Sequence, residues 1–298
     1  MSATEPTEKK SFSRDLQVLM KVRLNVFVLI TAFFGYWLGS RASGFDFWLL
    51  VHTLLGTAAC AFGSAVFNQL MEIEDDARMA RTADRPLPSK RMGVLVAFVI
   101  GWGLAAFGVI HLWAKVNQAA AIFAALTIAV YVFIYTPMKK MTSLNTLVGA
   151  IPGALPPLIG WVAAGQSWTA PGAWFLFALL FLWQLPHFVA ISWLCREEYE
   201  EAGYVMWSNG DVSGRKSAWL AGFFSVLLGL LALLVIPWEL TREGSWLFAG
   251  VGLLFGLWKA FSAWIFVKSG ERVKMRKLFF LTLIYLPVAL VILAIDWR

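Results

Sequence analysis

Long apolar stretches, each near the length of a bilayer-crossing helix and separated by short polar segments, make up most of this chain. A stretch such as AWLAGFFSVLLGLLALLVIPW, residues 218–238, contains no charge and no alternation of apolar and polar positions. A bilayer core needs roughly 20 consecutive apolar residues per helix, because every backbone N–H and C=O must be satisfied within the segment. The pattern predicts nine such spans, at 22–39, 46–68, 92–113, 119–136, 145–165, 173–195, 218–238, 246–267 and 278–295. Long alternating strands of the outer-membrane-barrel kind are absent. The expected fold is therefore all-α: a polytopic membrane protein with nine transmembrane helices in one domain, 22–298, behind a tail over 1–21. That tail, MSATEPTEKKSFSRDLQVLMK, is polar and mildly basic, and no small-residue cleavage signal closes the first apolar run, so the first span is expected to be retained.

Composition agrees with a bilayer. Hydrophobic residues make up 59% of the 298 and charged ones only 14%, against about 25% in a soluble globule. The two cysteines, Cys60 and Cys195, lie far apart in or beside apolar spans and form neither a zinc pattern nor a redox motif. A formal charge of +7 would suggest nucleic acid in a soluble protein. Its distribution argues otherwise: with the tail in the cytoplasm, 20 of the 25 lysines and arginines fall on the cytoplasmic side of nine spans. Topology and anionic membrane lipids explain this charge, and no nucleic-acid partner is expected.

Acidic residues are not bound by that rule, yet 14 of the 18 gather on the same side. Two loops hold ten of them: Glu72, Glu74, Asp75, Asp76 and Asp84 after span 2, and Glu197, Glu198, Glu200, Glu201 and Asp211 after span 6. In NQLMEIEDDARMARTADRPL, residues 68–87, Asn68, Glu72 and Asp76 stand four apart and share one face if the helix continues. Three such oxygen-bearing side chains suit Mg2+, which prefers hard oxygen ligands and bridges to phosphates. Glu74 and Asp75 would point elsewhere, into solvent. Arg78, Arg81 and Arg85 follow at helical spacing before Pro86 ends the segment, and their forked donors match phosphate oxygens. A surface ion network accounts for the individual charges, but less well for their order, carboxylates first and arginines after. The order reads as a diphosphate clamp.

Span 6 ends in FLWQLPHFVAISWLCREEYEEAGY, where Gln184 and His187 sit three apart around Pro186, and Glu197, Glu198 and Glu201 follow. A histidine in a polar break within a span is a functional candidate, set against an ordinary structural hydrogen bond; His52 and His111 lack such surroundings and read as packing. Between the clusters, YTPMKKMTSLNTLVGAIPGALPPLIGW supplies Lys139 and Lys140 in a short loop and Asn145, an amide that must find a partner. Gly149, Gly153 and Gly160 permit close helix contact, and Pro152, Pro156 and Pro157 make a regular cylinder unexpected. A water-poor cavity with this mouth suits ionisation of an allylic diphosphate: metal and basic groups stabilise the leaving diphosphate while apolar walls keep the carbocation from water. Exclusion of water would obstruct a hydrolase.

The first of these segments resembles the leading acidic motif of the UbiA-like intramembrane prenyltransferases, and its MxRTxxRPL continuation, the YTPMKK segment and WQLPHF followed by EEYEEAG resemble the protoheme IX farnesyltransferase branch of that family, in the same order. The resemblance covers roughly residues 20 to 295. It implies transfer of farnesyl from farnesyl diphosphate to a vinyl group of protoheme IX, with water supplying a hydroxyl, to give heme O and diphosphate. It further implies Mg2+ on Asn68, Glu72 and Asp76, with Glu72 standing where many relatives carry Asp. Arg81 and Arg85 would hold diphosphate, Lys139 and Lys140 would add electrostatic support, and His187 would contact heme, near a propionate or at iron, with Asn145 and Gln184 nearby. Glu198 is the candidate second-loop metal ligand, Glu197 and Glu201 weaker ones. The implied location is a bacterial inner membrane with N-terminus and active-site mouth cytoplasmic, and a heme A synthase is the candidate recipient of product. The enzyme alternative is a quinone-pathway aromatic prenyltransferase; the nonenzymatic one is a lipid or porphyrin transporter, which would carry polar residues through the full membrane depth.

Overall fold

The computed structural model describes residues 11–243 and 245–298. The chain runs α1 (Phe12–Leu19), α2 (Val22–Ser43), α3 (Phe47–Met71), α4 (Ile73–Arg78), α5 (Val94–Lys115), α6 (Gln118–Ala129), α7 (Thr136–Met138), α8 (Asn145–Ala154), α9 (Pro156–Ala163), α10 (Pro171–Leu194), α11 (Arg196–Glu201), α12 (Arg215–Ala232), α13 (Leu247–Ser269) and α14 (Arg272–Asp296). Among the described residues, nine helical stretches are long and apolar enough to cross a membrane, and this is a multi-pass membrane protein.

Local chemistry sets several ends. The Asp46 carboxylate accepts from the Leu49 amide at 3.0 Å and Asn117 Oδ1 from the Ala120 amide at 2.8 Å, starting α3 and α6. Pro171 opens α10, where its missing N–H costs nothing. The largest difference from the expected spans is at α14, which begins at Arg272 instead of 278. Lys274, Arg276 and Lys277 extend the helix beyond its apolar part, which hydropathy alone does not register.

Two spans are irregular. After α6 the chain continues through a π-helical stretch, Val130–Tyr135, into α7, and Thr136 Oγ1 donates to the Tyr131 carbonyl five residues back at 2.8 Å. As the prolines foretell, the fifth span breaks at Leu155 into α8 and α9. There Gly160 admits α2: a Cβ would run into the Ala32 carbonyl and the Tyr36 amide. Around the bundle α2 packs on α3 and α9, α3 on α5, α5 on α6, α6 on α9, α8 on α10, α10 on α12 and α14, α12 on α13, α13 on α14, and α14 on α2. The first and last spans thus meet.

The stretch before the first span is not simply a polar tail. Residues 1–10 lie outside the described residues, but α1 packs on α2 and α3, with Leu19 fully buried beside Val66, Leu87 and Met92. Asp15 is buried against Arg91 at 2.9 Å.

Candidate functional site

The site forms where α3 stops. Glu72 leaves the helix (φ −108°, ψ 15°), yet its amide donates to Asn68 at 3.1 Å and the Asp76 amide donates to Glu72 at 2.8 Å. The hydrogen-bond ladder crosses the break and keeps Asn68, Glu72 and Asp76 stacked one turn apart, all three buried. Each faces a cation from a different segment. Lys21 Nζ donates to Asn68 Oδ1, Lys139 Nζ lies 2.6 Å from Glu72 Oε1, and Arg85 Nη1 lies 2.6 Å from Asp76 Oδ2. Asn68 Nδ2 donates to Thr136 Oγ1 at 3.1 Å, which ties the π-helical segment to the site.

Two expectations are corrected. The helix ends at Arg78, so Arg81 and Arg85 come from turns and not from a helical face; Thr82 Oγ1 holds that loop by donating to the Asp76 carbonyl at 2.8 Å. Asp75 is not solvated: it is buried with Lys140 Nζ 2.8 Å away. Glu74 is exposed, as its position on the face suggested.

Charge balance tunes these groups. Burial pushes the Lys21 ammonium down to about 7, against the pull of Glu72. Burial alone would raise Glu72, but Lys139 and Lys21 outweigh it and hold its carboxyl below the ordinary value. At Asp76 burial wins over Arg85, and its carboxyl is raised. Lys21 also sits at φ +48°, ψ +45°, a left-handed conformation that costs a lysine about 1–2 kcal/mol.

The second loop meets the first. Arg81 Nε lies 3.8 Å from Glu198 Oε2, an otherwise unpartnered buried acceptor, and its guanidinium carbon lies 5.9 Å from the Tyr199 ring centre. The Val205 amide donates to the Lys139 carbonyl at 2.7 Å, Tyr204 lies beneath the Lys139 ammonium, and Met79, Ala202 and Tyr204 pack together. The loops after α4, α7 and α11 thus share one end of the bundle. Glu197 pairs with Arg196 at 2.9 Å, and Glu201 is exposed.

Asn145 spends its amide protons on the Thr142 and Val205 carbonyls, at 2.6 and 2.7 Å, and so ties two loops together. Gln184 donates to the Ala150 and Leu180 carbonyls, facing α8. His187, three residues on, turns to α14, with Nδ1 2.9 Å from Thr282 Oγ1. The pair read together in the sequence therefore serves two different helix contacts.

Among the described residues, no three His, Cys, Asp or Glu side chains stand close enough to hold a metal ion alone. Glu72, Asp75 and Asp76 have each been drawn to a cation of their own. The donor set still fits a hard cation: an amide oxygen and two carboxylates stand one helical turn apart on a shared hydrogen-bond ladder, and Glu198 offers a buried oxygen with no hydrogen bond. Buried carboxylates interleaved with lysines and arginines can bind a polyanion together with its counter-cation.

The chain matches the UbiA prenyltransferase family over residues 28–284. It is 38% identical to the protoheme IX farnesyltransferase of Solibacter usitatus, over 95% of this chain and 98% of that protein. Against the protoheme IX farnesyltransferase of Opitutus terrae the identity is 39%, over 99% and 98%. Among solved structures it resembles a digeranylgeranylglyceryl phosphate synthase (TM-score 0.78, 18% identity, covering 95% of this chain and 98% of that one). A UbiA homolog from Archaeoglobus fulgidus bound to GPP and Mg2+ gives a TM-score of 0.65 at 15% identity, covering 94% and 99%. This chain belongs to the UbiA prenyltransferase family.

Proposed function

We propose that the chain transfers farnesyl from farnesyl diphosphate to a vinyl group of protoheme IX, giving heme O and diphosphate. The bond from farnesyl C1 to oxygen breaks, and diphosphate leaves with the electron pair. The vinyl π-bond attacks C1, and water closes the resulting cation as a hydroxyl, releasing a proton. Relatives named for this reaction match almost the whole chain. The observation that carries the reading is the loop of residues 79–92: Arg85 meets Asp76 on one side and Arg81 meets Glu198 on the other, so this loop joins the two acidic segments.

Asn68, Glu72 and Asp76 would hold Mg2+, with Glu198 as the second loop's ligand, and the bound ion would neutralise charge on the departing diphosphate. Lys139 and Arg85 now neutralise the two carboxylates and Lys21 donates to the amide oxygen; released from them, all three would turn to the phosphate oxygens alongside Arg81 and Lys140. His187 is the proposed heme contact. The mouth would face the cytoplasm of a bacterial inner membrane, with a heme A synthase as recipient of product.

The test is an anaerobic assay with protoheme IX, farnesyl diphosphate and Mg2+, resolved by product mass, with 4-hydroxybenzoate as competing acceptor. A farnesylated, hydroxylated heme supports the proposal. Product on the phenolic acid alone would replace it with a quinone-pathway activity.

A further inference from the structure

His187 has its proton assigned by its neighbour. Its Nδ1 lies 2.9 Å from Thr282 Oγ1, and that same hydroxyl donates to the Phe279 carbonyl at 2.6 Å. A carbonyl can only accept, and a hydroxyl has one proton. Thr282 Oγ1 is therefore an acceptor toward His187, and the imidazole donates from Nδ1. In the neutral ring the lone pair then belongs to Nε2, which meets no protein hydrogen-bond partner among the described residues.

The ring is also fixed in place. It stacks on Phe279 at 4.7 Å between ring centres and 27° between planes, and on Trp183 at 5.8 Å and 17°. Trp183 Nε1 in turn donates to the Thr282 carbonyl at 2.6 Å, so α10 and α14 are joined at the residue that sets the tautomer. A free Nε2 lone pair, an Nδ1–H on a fixed acceptor and a clamped ring are what a metal-ligating histidine requires.

Resting on the reading of protoheme as the acceptor substrate, we propose that Thr282 is a positioning residue, holding His187 with its proton on Nδ1 so that Nε2 ligates the iron of bound protoheme. The bond would fix the centre of the macrocycle against α10 and α14.

The test is to titrate protoheme into wild type, Thr282→Val, Thr282→Ser and His187→Gly, and to record the iron–histidine stretch of the ferrous complexes by resonance Raman. Thr282→Val is expected to weaken heme affinity by roughly 10–100-fold and to lower the stretching frequency. Thr282→Ser, which keeps the hydroxyl, is expected to restore both. His187→Gly is expected to lose the stretch and to regain an iron–imidazole band when imidazole is added. A purely structural threonine would lower thermal stability without moving the frequency. The proposal is overturned if Thr282→Val keeps wild-type affinity and frequency, or if His187→Gly keeps the stretch. If Thr282→Val does not fold, the serine and glycine variants decide. Conversion of protoheme by a wild type with no iron–histidine stretch defeats this inference alone, whereas failure to bind or convert protoheme defeats the proposed function.

Discussion

Arg81 Nε stands 3.8 Å from Glu198 Oε2, across the two loops that carry most of the chain's acidic residues. The side chains are 48% and 37% exposed, so solvent screens the pair and it adds little to stability. Its consequence is positional: it sets an arginine from the first loop beside a carboxylate from the second. Arg81→Ala should leave thermal stability unchanged and raise KM for farnesyl diphosphate by about 10-fold or more, the worth of one charge-assisted contact. Transfer kinetics beside a melting curve check this; an unchanged KM contradicts it.

Asp76 is buried against Arg85 and joined to the first loop through its own backbone. Asp76→Asn keeps the shape and removes the charge that would hold Mg2+. Turnover should fall by roughly 10²–10³-fold, as for loss of a group acting on transition-state charge. Chelation of the wild type should abolish transfer. Turnover that survives both treatments would contradict the assigned role.

Lys21 makes a pH prediction. Its ammonium is pushed down to about 7 in the free protein. An arriving diphosphate favours the charged form and raises that value, so binding should take up a proton between about 7 and the higher bound-state value. Affinity should be full below about 7 and decline as pH rises through this window. Calorimetry in buffers of different ionisation enthalpy measures the uptake, and Lys21→Met should remove it. Equal uptake in the variant would assign the proton elsewhere.

Gly160 tests the fold. Alanine there would place a methyl on the Ala32 carbonyl and Tyr36 amide, and overpacking of this kind costs about 1–3 kcal/mol. A lower melting temperature with an unchanged KM in the surviving protein is expected.

The spans were legible because a bilayer demands long apolar helices, and the carboxylates of residues 72–76 because a four-residue spacing survives a break in the helix. Lys21 was not legible as a site residue: it lies 47 positions from Asn68, and no local spacing relates them. Asp75 reads as solvated from the sequence because its partner, Lys140, comes from another loop, and only tertiary packing makes it a buried ion pair. The π-helical segment that brings Thr136 to Asn68 leaves no trace in hydropathy.

The most direct test uses single cysteines at Arg81 and at Glu198, in a background with Cys60 and Cys195 replaced, treated with a membrane-impermeant maleimide in sealed vesicles of both orientations. Both positions are expected to label from the same face, and farnesyl diphosphate with Mg2+ is expected to slow both reactions. Labelling from opposite faces, or protection at one position only, would contradict a shared diphosphate mouth.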